Sequence, residues 1–298
     1  NTNVYSIDCA SFATTDAATS TGFTCASFII DGNNFYYGRT TDGATVYKTT
    51  VSIGSLTEGT QIEKAEANIT PYFSMSDGVV YFSLNSKIYS IKDGTATPNP
   101  WDLTMSITAF TVAGDQVYYS TTSTDKDFYL YEDQGSSPVI YKGETVKGVP
   151  SVKMIGDAVW FVDQDTGRGC IRTLTPHLTE NGSYRFNDYE IGKYSKSEMR
   201  LGANAAELSV YNEKLLIADT ENNRVLHYTR NADGTYLRNA PVSLSDISPD
   251  LVCAGENAFA VADGRELRIL SCVGEELYRE TFTGDVTSIA YSYGCFYV

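Results

Sequence analysis

The chain has 298 residues and a formal net charge of −15, and 12% of its residues are aromatic, with 22 tyrosines. An acidic chain is a poor partner for nucleic-acid phosphates, and no apolar run approaches the roughly 18 residues of a membrane-spanning helix. These features exclude nucleic acid as a partner and predict no membrane span. The length fits two ordinary domains or one large all-β domain.

The N-terminal segment predicts a single strand followed by a polar stretch. Val4, Tyr5 and Ile7 carry the strand pattern, and the letters VYSID match IYSIKDG at residues 88–94. In that second place the motif is the third strand of a repeat. Residues 9–22 are rich in Ser, Thr and Ala, which is typical of an outer strand or a loop.

One motif then recurs seven times along the chain. It consists of an apolar segment, a tight turn and a second apolar or aromatic run, which together predict two strands. The copies occupy residues 28–37, 73–82, 110–119, 152–161, 208–217, 251–261 and 289–298. A period of about 40–45 residues with four strands in each unit is the signature of propeller blades. The sequence therefore predicts one all-β domain over residues 1–298.

Two of the units contain an additional hairpin signal. Asn181-Gly182 separates TLTPHL from YRFNDYEI, and Asp233-Gly234 separates VLHYTRN from YLRNAPV. Asn-Gly and Asp-Gly favour the tight turns of β-hairpins. We expect antiparallel pairs around both turns.

The two ends of the chain each supply half a unit. Residues 286–298 hold only the first two strands, whereas the chain starts at a third strand. Pairing these halves removes an open sheet edge, so we predict a composite blade and seven four-stranded blades in all. Six blades is the alternative, should the N-terminal segment not pair.

This closure also predicts a disulfide bond. In the composite blade Cys9 ends the third strand and Cys295 begins the second, so the two residues lie side by side. The alternative is that all six cysteines are buried free thiols.

One unit resembles a known family of repeats. IADTENNRVLHY at residues 217–228 is similar to an NHL repeat, with Asp219, Asn222, Asn223 and Arg224 matching its pattern. Shorter matches are Asp163 with Arg168 and Asp263 with Arg265, and the other units resemble propellers of bacterial surface proteins. The resemblance implies a propeller fold and leaves the activity open, because propellers host many functions.

The loops between second and third strands are the candidate binding face. They carry polar side chains on a rigid scaffold, where recognition usually occurs; the candidates are Arg39, Asp125, Asp163, Arg168, Asp219, Asn222, Arg224, Asp263 and Arg265. For the Asp219 group we favour a structural brace of the loop, with ligand contact as the alternative. Because the chain begins at Asn1 rather than Met, we expect a processed or trimmed form.

We expect an exported or cell-surface bacterial monomer that binds a protein or carbohydrate ligand without catalysis or cofactor. One alternative is a calcium-dependent lactonase-like hydrolase, because Asp163, Asp165, Asp219 and Asp263 supply the oxygen ligands that calcium prefers. Another is a carbohydrate-binding propeller, with Trp101 in a loop as the stacking residue and Trp160 in a strand. Only two histidines are present, which excludes a His-rich metal site.

Overall fold

The computed structural model describes residues 4–16, 25–40, 43–50, 59–65, 70–76, 78–102, 107–113, 116–121, 128–132, 139–140, 152–155, 158–163, 170–174, 176–178, 184–186, 207–232 and 236–298. The chain divides into two compact units. The first comprises Asn1–Ile107 and Cys253–Val298, and the second comprises Thr108–Val252.

The described residues form strands throughout, together with one short 3-10 turn at Thr220–Asn222. The first strands are β1 Tyr5–Asp8, β2 Thr14–Asp16, β3 Ser27–Asp31, β4 Asn34–Arg39, β5 Ala44–Thr50, β6 Thr60–Ala65, β7 Phe73–Ser76, β8 Val79–Leu84, β9 Lys87–Lys92 and β10 Thr95–Asp102. The next are β11 Ile107–Ala113, β12 Gln116–Thr121, β13 Phe128–Glu132, β14 Val139–Ile140, β15 Val152–Ile155, β16 Ala158–Asp163, β17 Cys170–Leu174, β18 Pro176–Leu178, β19 Tyr184–Phe186, β20 Leu208–Tyr211, β21 Lys214–Asp219, β22 Arg224–Arg230, β23 Tyr236–Arg238 and β24 Val242–Ser243. The last are β25 Leu251–Ala254, β26 Ala258–Asp263, β27 Glu266–Ser271, β28 Glu276–Thr281, β29 Ala290–Ser292 and β30 Cys295–Tyr297.

Most of the strands pair in four-stranded antiparallel sheets. In the first unit these sheets are β3–β6, β7–β10 and β25–β28. The first two residues of β25 belong to the second unit. In the second unit the sheets are β11–β14, the three strands β15–β17 and the five strands β20–β24, with β18 and β19 paired separately. The strand pairs predicted from the repeat are confirmed among the described residues.

The composite sheet at the two chain ends is also confirmed. Its order is β2-β1-β30-β29, and β1 runs antiparallel to β30 with Ile7 opposite Phe296. The Tyr5 amide donates to the Val298 carbonyl, and the Val298 amide donates to the Tyr5 carbonyl, both at 2.9 Å. The predicted hairpins are confirmed as well, since β18 pairs with β19 and β22 with β23.

Burial decreases from the second strand of a sheet to the fourth. β26 is buried along almost its whole length, whereas β28 alternates between exposed and half-buried residues. A strand covered on both faces reads as a continuous apolar run, and an edge strand does not. Charged Glu276, Arg279 and Glu280 on β28 discourage the exposed edge from pairing with another chain.

Apolar side chains between neighbouring sheets form the core of the first unit. One cluster joins the composite sheet to the β3–β6 sheet and contains Val4, Cys25, Ile30, Phe35, Tyr37, Cys295 and Tyr297. Another joins the β3–β6 and β7–β10 sheets and contains Tyr36, Ala44, Val46, Val80, Phe82, Leu84 and Ile91. Stacked rings, such as Phe82 on Tyr89 at 5.0 Å between centroids, reinforce this packing.

The expectation that Trp101 lies in a loop is wrong. Trp101 belongs to β10, in the part of that strand where the pairing with β9 shifts register between Pro98 and Asp102. A register shift of this kind inserts extra residues into one strand, so the Asn99-Pro100 signal marks an irregular strand and not a loop. No helix among the described residues is long and apolar enough to cross a membrane.

Candidate functional site

A pocket opens on the predicted loop face of the first unit, where the start of β1, the end of the chain and the β28–β29 connection meet. Its volume is about 70 Å³. The lining residues are Val4, Tyr5, Cys25, Phe28, Phe282, Thr283, Gly284, Asp285, Val286, Thr287 and Val298. The pocket thus combines apolar and aromatic walls with a few polar groups, and its size suits one small chemical group rather than an enclosed drug-sized ligand.

Backbone hydrogen bonds tie the pocket wall to the β26–β27 loop. The Phe282 amide donates to the Arg265 carbonyl at 2.9 Å, and the Val286 amide donates to the Gly264 carbonyl at 2.7 Å. These two bonds place the predicted residues Asp263 and Arg265 beside the pocket. The sequence pattern therefore indicated part of its rim.

The rim carries an exposed pair of opposite charges. Arg265 Nε lies 3.5 Å from Asp285 Oδ1, and the two side chains are 64% and 74% exposed. An ion pair so open to water contributes little stability, so both groups remain accessible to a ligand.

The pocket floor contains a thiol that does not ionise at neutral pH. Cys25 is buried and its sulfur donates to the Ser27 carbonyl at 3.4 Å. Burial raises the pKa of Cys25 to about 12. The thiol is therefore a neutral, weakly polar part of the wall and a poor nucleophile.

Aromatic contacts fix the walls of the pocket. The Tyr5 and Phe282 rings lie 4.7 Å apart between centroids, and Phe28 stacks on the buried Phe35 at 5.0 Å. These rings come from β1, from β3 and from the residue after β28. Residues so distant in sequence are brought together by packing between sheets, and the repeat pattern contains no signal for them.

Residues 219–224 of the second unit form a compact ionic cluster. Asp219 is 0% exposed; Arg224 Nε donates to its carboxylate at 2.6 Å, and Asn222 Nδ2 approaches both carboxylate oxygens at 3.0 Å. Asn223 follows in the left-handed conformation at φ 49°, and Ser248 donates to its side-chain oxygen at 2.8 Å. This geometry closes the β21–β22 loop and serves as a structural brace.

A second unusual carboxyl group lies just before β20. The Val252 amide donates to Glu207 Oε2 at 3.1 Å. Burial raises the pKa of Glu207 to about 7, against the opposing effects of the Lys153 charge and the Val252 amide. Glu207 is therefore part protonated near neutral pH. A single Glu in an acidic chain carries no signal in the sequence, so Glu207 could not be predicted from it.

The remaining predicted site residues have varied surroundings. The guanidinium of Arg39 lies 5.2 Å from the centroid of the Tyr47 ring, a cation–π contact. Asp163 ends β16 opposite Cys170. Asp125, Asp165 and Arg168, and the side chains of Asp163, Trp101 and Trp160, fall outside what the structure describes. Among the described residues, no group of three or more His, Cys, Asp or Glu side chains is arranged to hold a metal ion.

The predicted disulfide partners are neighbours in the composite sheet. Asp8 lies opposite Cys295, and the Cys9 amide donates to the Gly294 carbonyl at 2.9 Å. Both cysteines are thiols in the structure. Burial, the neighbouring Cys295 and Asp8 raise the pKa of Cys9 to about 11.

Comparisons with known proteins identify the fold. No protein-family model matches the chain, and no curated protein matches it in sequence. The structure is similar to the periplasmic gluconolactonase of Pseudomonas aeruginosa, with a TM-score of 0.65 and 14% identity over 95% of this chain and 93% of that one. The WD40 domain of Neurospora crassa Pan2 gives 0.59 and 11% identity, covering 92% and 87%.

The computationally designed Ika8 protein gives a TM-score of 0.56 and 11% identity, covering 92% of this chain and 93% of that one. These solved structures are β-propellers. At such low identity they establish that this chain has a β-propeller fold and carry no information on its activity.

Proposed function

We propose that the chain is an exported or cell-surface bacterial β-propeller that binds a ligand at its loop face without catalysing a reaction. The pocket beside the β26–β27 loop is the observation that carries the proposal. Its apolar and aromatic walls and exposed Arg265–Asp285 rim provide binding surface. Its thiol, Cys25, is buried and held protonated.

The proposal includes seven blades and an NHL-like fifth blade. Seven sheets of three or more strands formed by the described residues support the count. The Asp219–Arg224 ion pair supports the NHL-like assignment, because it joins the two charged residues of the matched pattern. Residues 1–298 then constitute one domain.

A pocket-blocking substitution tests the function. Gly284 lines the pocket, and a Cβ placed on it meets nothing within 4 Å. Gly284 is exposed, so Gly284→Trp should be accommodated by the fold and should obstruct the mouth of the pocket, and Gly284→Ala is the matched control. In a thermal-shift screen of small metabolites and oligosaccharides, ligands should raise the Tm of the wild type and of Gly284→Ala but not of Gly284→Trp.

Two results would contradict the proposal. One is that every stabilising compound acts equally on Gly284→Trp, which would place binding elsewhere. The other is chemical conversion of a bound compound, followed by NMR. The lactonase alternative predicts a rise in Tm with calcium together with lactone hydrolysis, so calcium, magnesium and zinc titrations belong in the same screen.

A further inference from the structure

The pocket wall has a composition that favours one class of ligand. Three aromatic residues, Tyr5, Phe28 and Phe282, line it, and the carboxylate of Asp285 stands at its rim. The faces of aromatic rings attract cations within about 6 Å of the ring centroid. A carboxylate beside such rings supplies the opposite charge, and the chain's net charge of −15 adds a favourable field for cations.

We propose that this pocket binds an alkylammonium head group, with the three rings against its methyl or methylene groups and Asp285 opposite its charge. The inference rests on the proposed binding function and names the ligand class for the same pocket. A pocket of about 70 Å³ accepts a compact head group whose remaining atoms extend into solvent.

Arg265 provides an internal check on this assignment. Its guanidinium lies 3.5 Å from Asp285 and competes with any ligand cation for that carboxylate. Removing the guanidinium should therefore strengthen ammonium binding. For a ligand held by hydrogen bonds or negative charge, the same change would weaken binding, so the sign of the effect separates the two classes.

The test compares choline with 3,3-dimethylbutan-1-ol, its neutral analogue of nearly identical shape, by NMR titration of the full chain. Choline should bind at least about tenfold more tightly, since cation–π and Coulomb attraction are absent from the alcohol. Asp285→Asn and Phe282→Leu should each weaken choline binding about three- to tenfold. Arg265→Gln should strengthen it, and Asp93→Asn, which removes a distant exposed carboxylate, should leave it unchanged.

Equal affinity for choline and the alcohol, with both lost in Gly284→Trp, would overturn the ammonium assignment and leave the pocket as a binding site. Absence of binding by both probes would also overturn it, and the metabolite screen would then decide the proposed function separately. Weaker choline binding in Arg265→Gln would also contradict the proposal, because removal of the competing guanidinium should strengthen the binding of a cation. Asp285 is exposed, so Asp285→Asn remains informative if Phe282→Leu alters folding.

Discussion

Asp219 is completely buried, and three side-chain contacts offset its desolvation. Arg224 and Asn222 supply these contacts from the next five residues of the chain. Removing one partner from such a pair leaves a buried charge without compensation. Loss of either partner should therefore lower the free energy of unfolding. Because the pair lies at the end of β21, it braces the loop that leads into β22.

Arg224→Ala should lower the free energy of unfolding by about 1–3 kcal/mol. Denaturant unfolding measures this change. The matched control is Arg265→Ala, whose exposed pair with Asp285 should contribute less than about 1 kcal/mol. Equal effects of the two substitutions would contradict the structural role of the pair. An unchanged stability in Arg224→Ala with loss of ligand binding would assign Arg224 to recognition instead.

Glu207 makes stability depend on pH in a defined direction. Its folded pKa, about 7, lies above the ordinary value of 4.5. The folded state therefore holds a proton that the unfolded state releases between these values. The stabilisation is complete below about pH 4.5 and is lost as pH rises through about 7.

Glu207→Gln imitates the protonated carboxyl and should remove this dependence. The stability of the variant relative to the wild type should rise from pH 4.5 to 7 and then level off, as measured by denaturant unfolding at several pH values. Buried His227, whose pKa is lowered by burial and Lys214, is present in both proteins, so its effect cancels. A stability difference between the variant and the wild type that stays constant with pH would contradict the assignment.

At the scale of elements, β1 joins the two ends of the chain and also contacts the neighbouring sheet. It pairs with β30, and its Tyr5 ring packs on Phe282. In the following loop Phe12 adopts φ 53° and stacks on Tyr278 of β28 at 6.0 Å. A positive φ is costly for an aromatic residue, and the ring contact accompanies that conformation.

Deletion of residues 1–8 should therefore expose the edge of β30 and cause loss of cooperative unfolding or aggregation. Unfolding curves and size-exclusion chromatography follow both effects. Deletion of residues 1–3 keeps β1 intact and serves as the control. A 1–8 deletion that melts like the intact chain would show that β1 contributes nothing to closure.

Cys9 and Cys295 occupy the same junction, and we predict a bond between them under oxidising conditions. Oxidation requires thiolates, and burial raises the pKa of both thiols. Formation should therefore be slow at neutral pH and faster at high pH. Non-reducing peptide mapping after oxidative refolding should recover the two peptides joined, in place of two free thiols or a pair with another cysteine.

The repeat pattern was sufficient to predict the sheets but not the pocket. Strand ends, turns and the β1–β30 pairing follow from local alternation and from the half-units at the chain ends. The Tyr5–Phe282 and Phe12–Tyr278 contacts join residues hundreds of positions apart in sequence, and no period encodes them. Trp101 was placed wrongly because Asn-Pro signals a break in pairing, which β10 accommodates as a register shift.

At the scale of the whole molecule, the borders between the two compact units fall inside strands. Ile107 ends one segment of the first unit and begins β11, while β25 extends across the change from Val252 to Cys253. Boundaries between independent domains fall in exposed linkers where few contacts cross. We therefore expect the two units to unfold together as one domain.

Differential scanning calorimetry should show a single transition, and one destabilising substitution in each unit tests this. Ile7 in the first unit is fully buried, and Leu216 in the second unit is almost so. Ile7→Ala and Leu216→Ala each remove core contacts worth about 2–5 kcal/mol. In one cooperative domain each should move the whole transition to lower temperature. Two separate transitions, with Ile7→Ala shifting only one and Leu216→Ala only the other, would establish two domains and contradict the single propeller domain.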